Sequence, residues 1–385
     1  MAHFIRQLAA APLCAWEDPD VIDSHGHPIT DGGGRLELSA INVELASDER
    51  SRERRRQSGP SRLSHELLGV RLAEYLGCSV PELPEAREKA SRDWPAYVRG
   101  LFQASGISGL VLDPGWDLSA TTSAAASFHE LIGCPVRPIL RLEPLIDRLI
   151  GEGAGAAEVL GAVEQAMHDA PESGYYGFKT IIAYRTGLAV DPTVDMAMAE
   201  RSLRETADLP VRRRGKALRD LILRQALGWS AELELPFQIH TGFGDSEIRL
   251  AEANPILLEE LLRTPEGEAA TILLIHGSYP WHEELAYLTL AKPNVHAELS
   301  MFNLYAVASV ADRMEKVLEL APTSRVLCGT DGHGHPETFW FGALLIQEGW
   351  ARLRDRWAQQ GARPSWLEQV GADIMEANTA RLYGF

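Results

Sequence analysis

The segment VIDSHGHP, residues 21–28, begins as a short apolar strand and contains two histidines near its end. Because the side chains of a strand alternate between its two faces, Asp23, His25 and His27 point the same way. Two imidazoles two residues apart on one face can bind one divalent ion. An H-x-H pair on a half-buried strand also arises by chance, so this segment alone leaves a metal site and a pair of ordinary core histidines as alternatives.

Seven further β-rich apolar runs follow, most of them before a helical-looking stretch, which is typical of a parallel α/β fold. Eight strands predict a closed (β/α)8 barrel, the TIM-barrel fold. The alternative is an open doubly wound sheet, whose nucleotide-binding form requires a glycine-rich turn after the first strand. The chain reads SHGHPIT (24–30) there. The seven runs are ISGLVLD (107–113), CPVRPILRL (134–142), YGFKTIIAY (176–184), LPFQIHTG (235–242), TILLIHG (271–277), NVHAELS (294–300) and RVLCGTDG (325–332).

Two gaps between the predicted strands are longer than one helix and its loops require. We therefore predict a single domain over residues 1–385 with helical insertions at 31–100 and 186–234. Loops that follow the C-terminal ends of barrel strands lie on the face that holds the active site. Both insertions are expected to form a lid over that face.

Three later strands also end in a residue that can bind a metal. His240 closes the fifth strand, His276 the sixth and Asp331 the eighth. Because the C-terminal ends of the strands meet at one rim, four of the eight strands would deliver such a residue at the same height. Core packing gives no reason for this coincidence. The set predicts a metal centre rather than separate core histidines and a helix-capping aspartate.

At this point the chain resembles the amidohydrolase superfamily, whose members carry H-x-H on strand one, His on strands five and six, and Asp on strand eight of such a barrel. It is most similar to the amidohydrolase-related branch, which includes the barrel domain that precedes a glutamine-synthetase-like domain in some plant and fungal proteins. The likeness to that branch is carried by GFKTIIAYRTGL (177–188), TDGHGHPE (330–337) and ANTARLYGF (377–385).

This resemblance implies roles for the residues at the strand ends. His25, His27, His240 and Asp331 correspond to metal ligands, and the cofactor would be a divalent ion, zinc or manganese, with one ion favoured over two. A bound ion lowers the pKa of a water, and Asp331 would accept the proton of that water. His276 corresponds to an acid or electrostatic stabiliser in one-metal members and to a ligand of the second ion in two-metal members.

Lys179 and Asp23 have two interpretations each. Lys179 shares the inward parity of its strand, and in two-metal members of the family a lysine on this strand, modified to a carbamate, bridges the ions. The alternative is a structural ion pair, which we favour because Lys179 lies early in the predicted strand and is expected to sit too deep to reach the metal. Asp23 is interpreted as a buried group that orients an imidazole rather than as a ligand.

Further polar residues are candidates for contact with the substrate. Arg185 follows the fourth strand, where its guanidinium would suit a substrate carboxylate, and a pairing with a nearby acid is the alternative. His333 lies in the loop after Asp331 and is predicted to line the pocket. Glu298 and Ser300 face inward on the seventh strand, where polar packing explains them equally well. The arginine-rich segments RSRERRR (50–56) and VRRRGK (211–216) are either solvated helix faces or a positive rim that attracts an anionic substrate.

Net charge and cysteine content limit the partners. Thirty-seven Lys and Arg against 54 Asp and Glu give a formal charge of −17, which disfavours nucleic acid and anionic membranes as partners. The partner is expected to be a small molecule, and a homo-oligomer remains an alternative to a monomer. No apolar run is long enough to span a membrane. The scattered cysteines are typical of a reduced compartment, so the cytoplasm is predicted; they are Cys14, Cys78, Cys134 and Cys328.

Together these patterns predict a metal-dependent hydrolase that directs an activated water at an amide, lactam or lactone carbonyl. The resemblance favours a substrate that carries a carboxylate, such as a γ-glutamyl-type amide. Non-hydrolytic decarboxylation, which related barrels perform with one metal and the same histidines, is the main alternative. A catalytically silent regulatory barrel is a third interpretation, and it would predict an incomplete ligand set.

Overall fold

The computed structural model describes residues 20–36, 38–41, 53, 56–115 and 122–385 of the chain. Every strand pair in it is parallel. The strands are β1 (Val21–Ile29), β2 (Ile107–Leu112), β3 (Val136–Pro138), β4 (Leu140–Arg141), β5 (Phe178–Thr180), β6 (Phe237–His240), β7 (Ile272–Ile275), β8 (Val295–Leu299), β9 (Val326–Cys328) and β10 (Gly332–Gly334).

The strands form a closed ring of eight positions. They pair in the orders β10-β1-β2-β3 and β4-β5-β6-β7-β8-β9. At one seam the chain runs from β3 into β4 through Ile139. The N–H of Ile139 donates to the carbonyl of Leu112 in β2, whereas the N–H of Leu140 donates to the carbonyl of Gly177, next to β5. At the other seam the chain runs from β9 into β10, and the N–H of Asp331 donates to the carbonyl of His25 at 2.9 Å. The predicted (β/α)8 barrel is confirmed.

Apolar side chains fill both faces of the ring. Leu273 and Ile275 of β7 pack inside the barrel, whereas Ile272 and Leu274 pack against the helices outside. Cys328 likewise belongs to the outer layer. This alternation fixes which strand residues can reach the barrel interior.

Helices surround the ring and fill the two long gaps between strands. Between β1 and β2 the structure describes α1 (Leu63–Leu76), α2 (Leu83–Ala90) and α3 (Trp94–Ala104), and between β5 and β6 it describes α7 (Met196–Glu205) and α8 (Lys216–Glu232). The lid function of these segments remains a prediction. The other helices are α4 (Thr122–Ile132), α5 (Glu143–Glu152), α6 (Ala156–His168), α9 (Pro265–Ala269), α10 (His282–Ala291), α11 (Phe302–Tyr305), α12 (Val310–Leu318), α13 (Pro336–Gln359), α14 (Pro364–Ala372) and α15 (Asn378–Tyr383).

One strand is shorter than its sequence predicts. The run 176–184 suggested a strand through Tyr184, but β5 ends at Thr180 and Ile182–Tyr184 forms a 3-10 turn. The Thr180 hydroxyl accepts the N–H of Ile182 at 3.1 Å and thereby starts the turn. Within the described ranges no helix is both long and apolar enough to cross a membrane.

Candidate metal centre

His25, His27 and Asp331 meet at the C-terminal rim of the barrel. Oδ1 of Asp331 lies 3.6 Å from Nε2 of His25 and 3.4 Å from Nε2 of His27. β1 supplies the two histidines, and the turn between β9 and β10 supplies the aspartate. His25 is fully buried, and Asp331 is nearly so. Residues about 300 positions apart therefore present ligand atoms to one point.

His276 and His240 complete the cluster of predicted residues. The His276 ring centroid lies 5.3 Å from that of His25 and 4.5 Å from that of His240. Ligand atoms of His25, His276 and Asp331 all lie within 4.8 Å of one another. The structure thus brings together all five residues that the strand-end pattern singled out.

Two of these strand-end residues adopt a left-handed backbone. φ is 72° at His276 and 54° at Asp331, values that residues other than glycine rarely adopt. His276 follows the inward-facing Ile275, so regular alternation would direct its ring out of the barrel. The left-handed turn instead places the ring beside His25 and His240. Such strained residues are concentrated at functional sites.

The hydrogen-bond partners of two histidines define which ring nitrogen carries the proton. Nδ1 of His27 lies 3.0 Å from the carbonyl oxygen of Asp113, which can only accept, so Nδ1 donates. The lone pair of Nε2 then lies on the side of Asp331, where both atoms could bind one ion. Nε2 of His240 lies 3.1 Å from the carbonyl of Phe243, so its Nδ1 presents the lone pair. A carbonyl behind the ring is a usual partner of a metal-binding histidine.

The ionisation states match the needs of a divalent cation. Burial lowers the pKa of the imidazoles of His25, His27, His240 and His276, and the pKa of His240 falls to about 3. The four rings are therefore neutral at pH 7. Burial also acts to raise the pKa of Asp331, but His276 and His27 hold it well below the ordinary aspartate value. Neutral imidazoles with one carboxylate form the nitrogen and oxygen donor set that zinc and manganese accept, so the residues fit such an ion.

Lys179 lies at the edge of this cluster. Its Nζ atom is 2.7 Å from Nε2 of His25 and 3.0 Å from Oδ2 of Asp113. The expectation that Lys179 sits too deep to reach the site is wrong, because β5 ends at Thr180 and Lys179 is therefore next to its C-terminal end. Whether the lysine bridges two ions or only forms an ion pair stays open to the test given below.

Two charged residues of the site were missed in the sequence. Asp113 directly follows β2, and Arg141 ends β4. Nε and Nη2 of Arg141 lie 3.0 and 2.5 Å from Oδ2 of Asp113, so this buried carboxylate has two cationic partners, Arg141 and Lys179. The sequence did contain a sign of Asp113, because LVLD (110–113) ends in an acid as the eighth predicted strand does. A single acid after a strand is common in loops, so this sign alone did not indicate a site residue.

Asp23 supports the rim through a different contact from the one predicted. Its carboxylate accepts the N–H and the hydroxyl of Thr330 at 2.8 and 2.5 Å, and the N–H of His25 at 3.2 Å. No described contact joins it to an imidazole. Asp23 thereby holds the turn that presents Asp331. Burial raises its pKa to about 7.

Arg185 and His333 occupy different surroundings. Arg185 is fully buried, and its Nε binds Oδ2 of Asp147 at 2.9 Å. A 3-10 turn separates Arg185 from the end of β5, and its pairing with an acid agrees with the alternative interpretation of this residue. His333 is half-buried beside the site, with Nδ1 2.7 Å from the carbonyl oxygen of Asp331. Their contact with a substrate stays a prediction.

The second arginine-rich segment is already bonded within the protein. Arg212 forms an ion pair with Glu247, Arg213 donates to the carbonyl of Arg185, and Arg214 donates to Leu209. The first segment, 50–56, lies outside the described residues except for positions 53 and 56, and Cys14 lies outside them as well. The three described cysteines are free thiols.

A second group of potential ligands contains a guanidinium. Asp31, His335 and Glu337 also place ligand atoms within 4.8 Å of one another. Arg87 of α2 donates to Glu337 at 2.8 Å and forms an ion pair with Asp31. Both carboxylates therefore already bind a guanidinium, and we assign no metal to this group. It ties α2 to the chain after β1 and to α13.

A parallel barrel with histidines and an aspartate at its C-terminal rim defines a metal-dependent barrel enzyme. The sequence model of the amidohydrolase family matches residues 155–385, which is more than half of the chain. The chain belongs to the amidohydrolase family, and the predicted membership is confirmed.

Individual proteins are also similar to this chain. Protein fluG of Emericella nidulans is 34% identical over 221 residues, which are 54% of this chain and 25% of that protein. The chain thus matches about a quarter of the length of this curated relative. A Lactobacillus casei protein assigned to the metal-dependent hydrolases superposes with a TM-score of 0.83 at 22% identity, covering 96% of both chains. Uronate isomerase of Thermotoga maritima superposes with a TM-score of 0.67 at 14% identity, covering 94% of both chains. The two superpositions show a shared fold.

Proposed function

We propose that the protein is a metal-dependent hydrolase of amides, lactams or lactones and acts on a small molecule. The observation that supports this proposal is the convergence of His25, His27 and Asp331 on one point, with His240 and His276 beside them. A divalent ion held there supplies a water of lowered pKa and polarises the carbonyl of the substrate.

Some residues of the site would bind the ion, and others would transfer the proton. His25, His27 and His240 present neutral nitrogen lone pairs, as an ion requires. Asp331 is ionised, so its carboxylate can accept the proton of the attacking water and then donate it to the leaving nitrogen or oxygen. His276 faces the same point, and its neutral ring is placed to hold the attacking water by accepting a hydrogen bond from it. Arg185 already binds Asp147, so an anchoring role for it is not part of this proposal.

Elemental analysis of protein purified without added metal tests the proposal. We expect about one zinc or manganese ion per chain. His25→Ala should lose the metal, whereas Asp331→Asn should keep most of it and lose turnover by a factor of about 10³ or more. Metal-free wild-type protein with full activity would contradict the proposal.

A substrate panel separates hydrolysis from the alternative reaction. Amides, lactams and lactones are incubated and the released amine or acid is measured, while aromatic carboxylic acids are incubated in parallel and carbon dioxide is measured. Release of amine or acid that depends on His25 and Asp331 would support the proposal. Carbon dioxide alone would assign the site to decarboxylation, and no turnover of either class would favour a silent barrel.

A further inference from the structure

A buried carboxyl lies beside the backbone of His276. Glu298 of β8 is fully buried. Its Oε2 accepts the Ser300 hydroxyl at 2.7 Å and the backbone N–H of His276 at 3.0 Å. Its Oε1 accepts the Ser24 hydroxyl at 2.9 Å. A side chain at Gly329 would come within 2.3 Å of Oε1, so the backbone there is packed directly against the carboxyl.

Ser300 connects this carboxyl to the His276 ring. The Ser300 Oγ atom lies 2.9 Å from Nδ1 of His276 and 2.7 Å from Oε2 of Glu298. A hydroxyl has a single proton to donate. When that proton goes to Glu298, Oγ can only accept from His276. Nδ1 must then carry the ring proton, and Nε2 is left with a lone pair.

A neutral Glu298 is compatible with the same assignment when its proton is on Oε1. Ser24 lies 2.8 Å from the carbonyl of Cys328 and can donate there instead of to Glu298. The proton on Oε1 would then be donated to the Ser24 oxygen, and Oε2 would remain the acceptor for Ser300 and for the backbone of His276.

We propose that Glu298 and Ser300 are positioning residues that hold His276 as the Nδ1–H tautomer and keep its Nε2 lone pair available at the metal centre. The inference rests on the proposed function, in which His276 holds the attacking water. Glu298 also binds the N–H of His276 and so supports the left-handed backbone that brings the ring into the site. Without the carboxyl, the Ser300 hydroxyl can rotate and donate to Nδ1, which would place the ring proton on Nε2.

The tautomer can be measured directly by nitrogen NMR. Full-length protein carrying ¹⁵N-histidine is studied as purified and after treatment with a chelator, and His276 is identified by its absence in His276→Gln. We expect a protonated Nδ1 and an unprotonated Nε2 in the wild type. Glu298→Gln should keep this pattern, because its amide can donate to Ser24 while its oxygen accepts from Ser300. Glu298→Leu and Ser300→Ala should lose it, and kcat of the metal-loaded enzyme should fall about 10- to 100-fold with little change in KM.

Thr241→Val is the matched control. The Thr241 hydroxyl bonds to Ser278 and to the carbonyl of Ile275, so this variant removes buried hydrogen bonds beside His276 without touching its ring. It should keep the wild-type tautomer. An Nε2–H ring in the wild type, or an unchanged ring in Ser300→Ala and Glu298→Leu, would overturn the inference. The expected tautomer in a protein that hydrolyses nothing would contradict only the proposed function, and the opposite tautomer in an active hydrolase would contradict only this inference.

Discussion

Nζ of Lys179 lies 2.7 Å from Nε2 of His25, so an amino group occupies the inner side of the candidate metal centre. Burial lowers the pKa of this lysine, whereas Asp113 acts to raise it. The two interpretations of Lys179, a bridge between two ions and a structural ion pair, predict different numbers of bound metal ions.

Lys179→Met removes the amino group and keeps the length of the side chain. We expect about one metal ion per chain, as in the wild type, because the four ligand residues retain their donor atoms. The free energy of unfolding should fall by about 1–3 kcal/mol, since Asp113 loses one hydrogen-bond partner and keeps Arg141. Elemental analysis and urea unfolding measure the two effects. Lys316→Met, which breaks an exposed ion pair with Glu283, is the control. A fall from two ions to one would instead establish a bridging lysine.

Arg87→Met tests the ion-pair cluster that ties α2 to the barrel. Arg87 is fully buried and binds Asp31, Glu337 and the carbonyl of Gly34. Its removal leaves buried carboxylates without their cation, so the free energy of unfolding should fall by about 3–5 kcal/mol. Urea unfolding measures the loss. Arg35→Met, at an arginine whose side chain is 52% exposed, should change the midpoint of urea unfolding little. Equal effects of the two variants would contradict the role assigned to Arg87.

Asp31 makes the stability of the protein sensitive to acid. Burial acts to raise its pKa, but the hydrogen bond from His335 and the charge of Arg87 lower it from 3.8 to about 2. The unfolded chain therefore takes up this proton first as the pH falls, so the stability contributed by ionised Asp31 is present above about pH 4 and is lost toward pH 2. Between pH 5 and pH 3 the unfolding free energy should fall more steeply in the wild type than in Asp31→Asn. Asp208→Asn, at an exposed position, should follow the wild type; parallel curves for the wild type and Asp31→Asn would refute the prediction.

Gly244→Ala tests the packing that holds His240. The Tyr184 ring lies against His240 with centroids 4.6 Å apart, and a Cβ atom at Gly244 would come within 1.8 Å of the Tyr184 hydroxyl. The substitution should displace the tyrosine and lower the free energy of unfolding by about 1–3 kcal/mol. In a Tyr184→Ala background the same change should cost much less. Thermal or urea unfolding of the wild type, the two single variants and the double variant gives the coupling free energy between Gly244 and Tyr184. Additive losses of stability would contradict the contact.

Much of the site followed from short-range patterns. The alternation of strand side chains placed His25 and His27 on one face, and His240 was identified because it ends a strand. The segments that were predicted incorrectly lie where a strand ends. β5 stops at Thr180 through a side-chain hydrogen bond to the following turn, and that early end brings Lys179 to the metal centre.

The sequence by itself determined the barrel and the order of its metal-type ligands, because strand periodicity and strand-end composition are local properties of the chain. Only the tertiary structure revealed the contacts of Asp113 with Arg141 and Lys179, the cluster around Arg87, and the orientation of His276. These contacts join residues far apart in sequence or depend on a left-handed backbone that surrounding hydrogen bonds hold in place. Their energies arise from burial and charge pairing, which exist only once the distant segments are packed together.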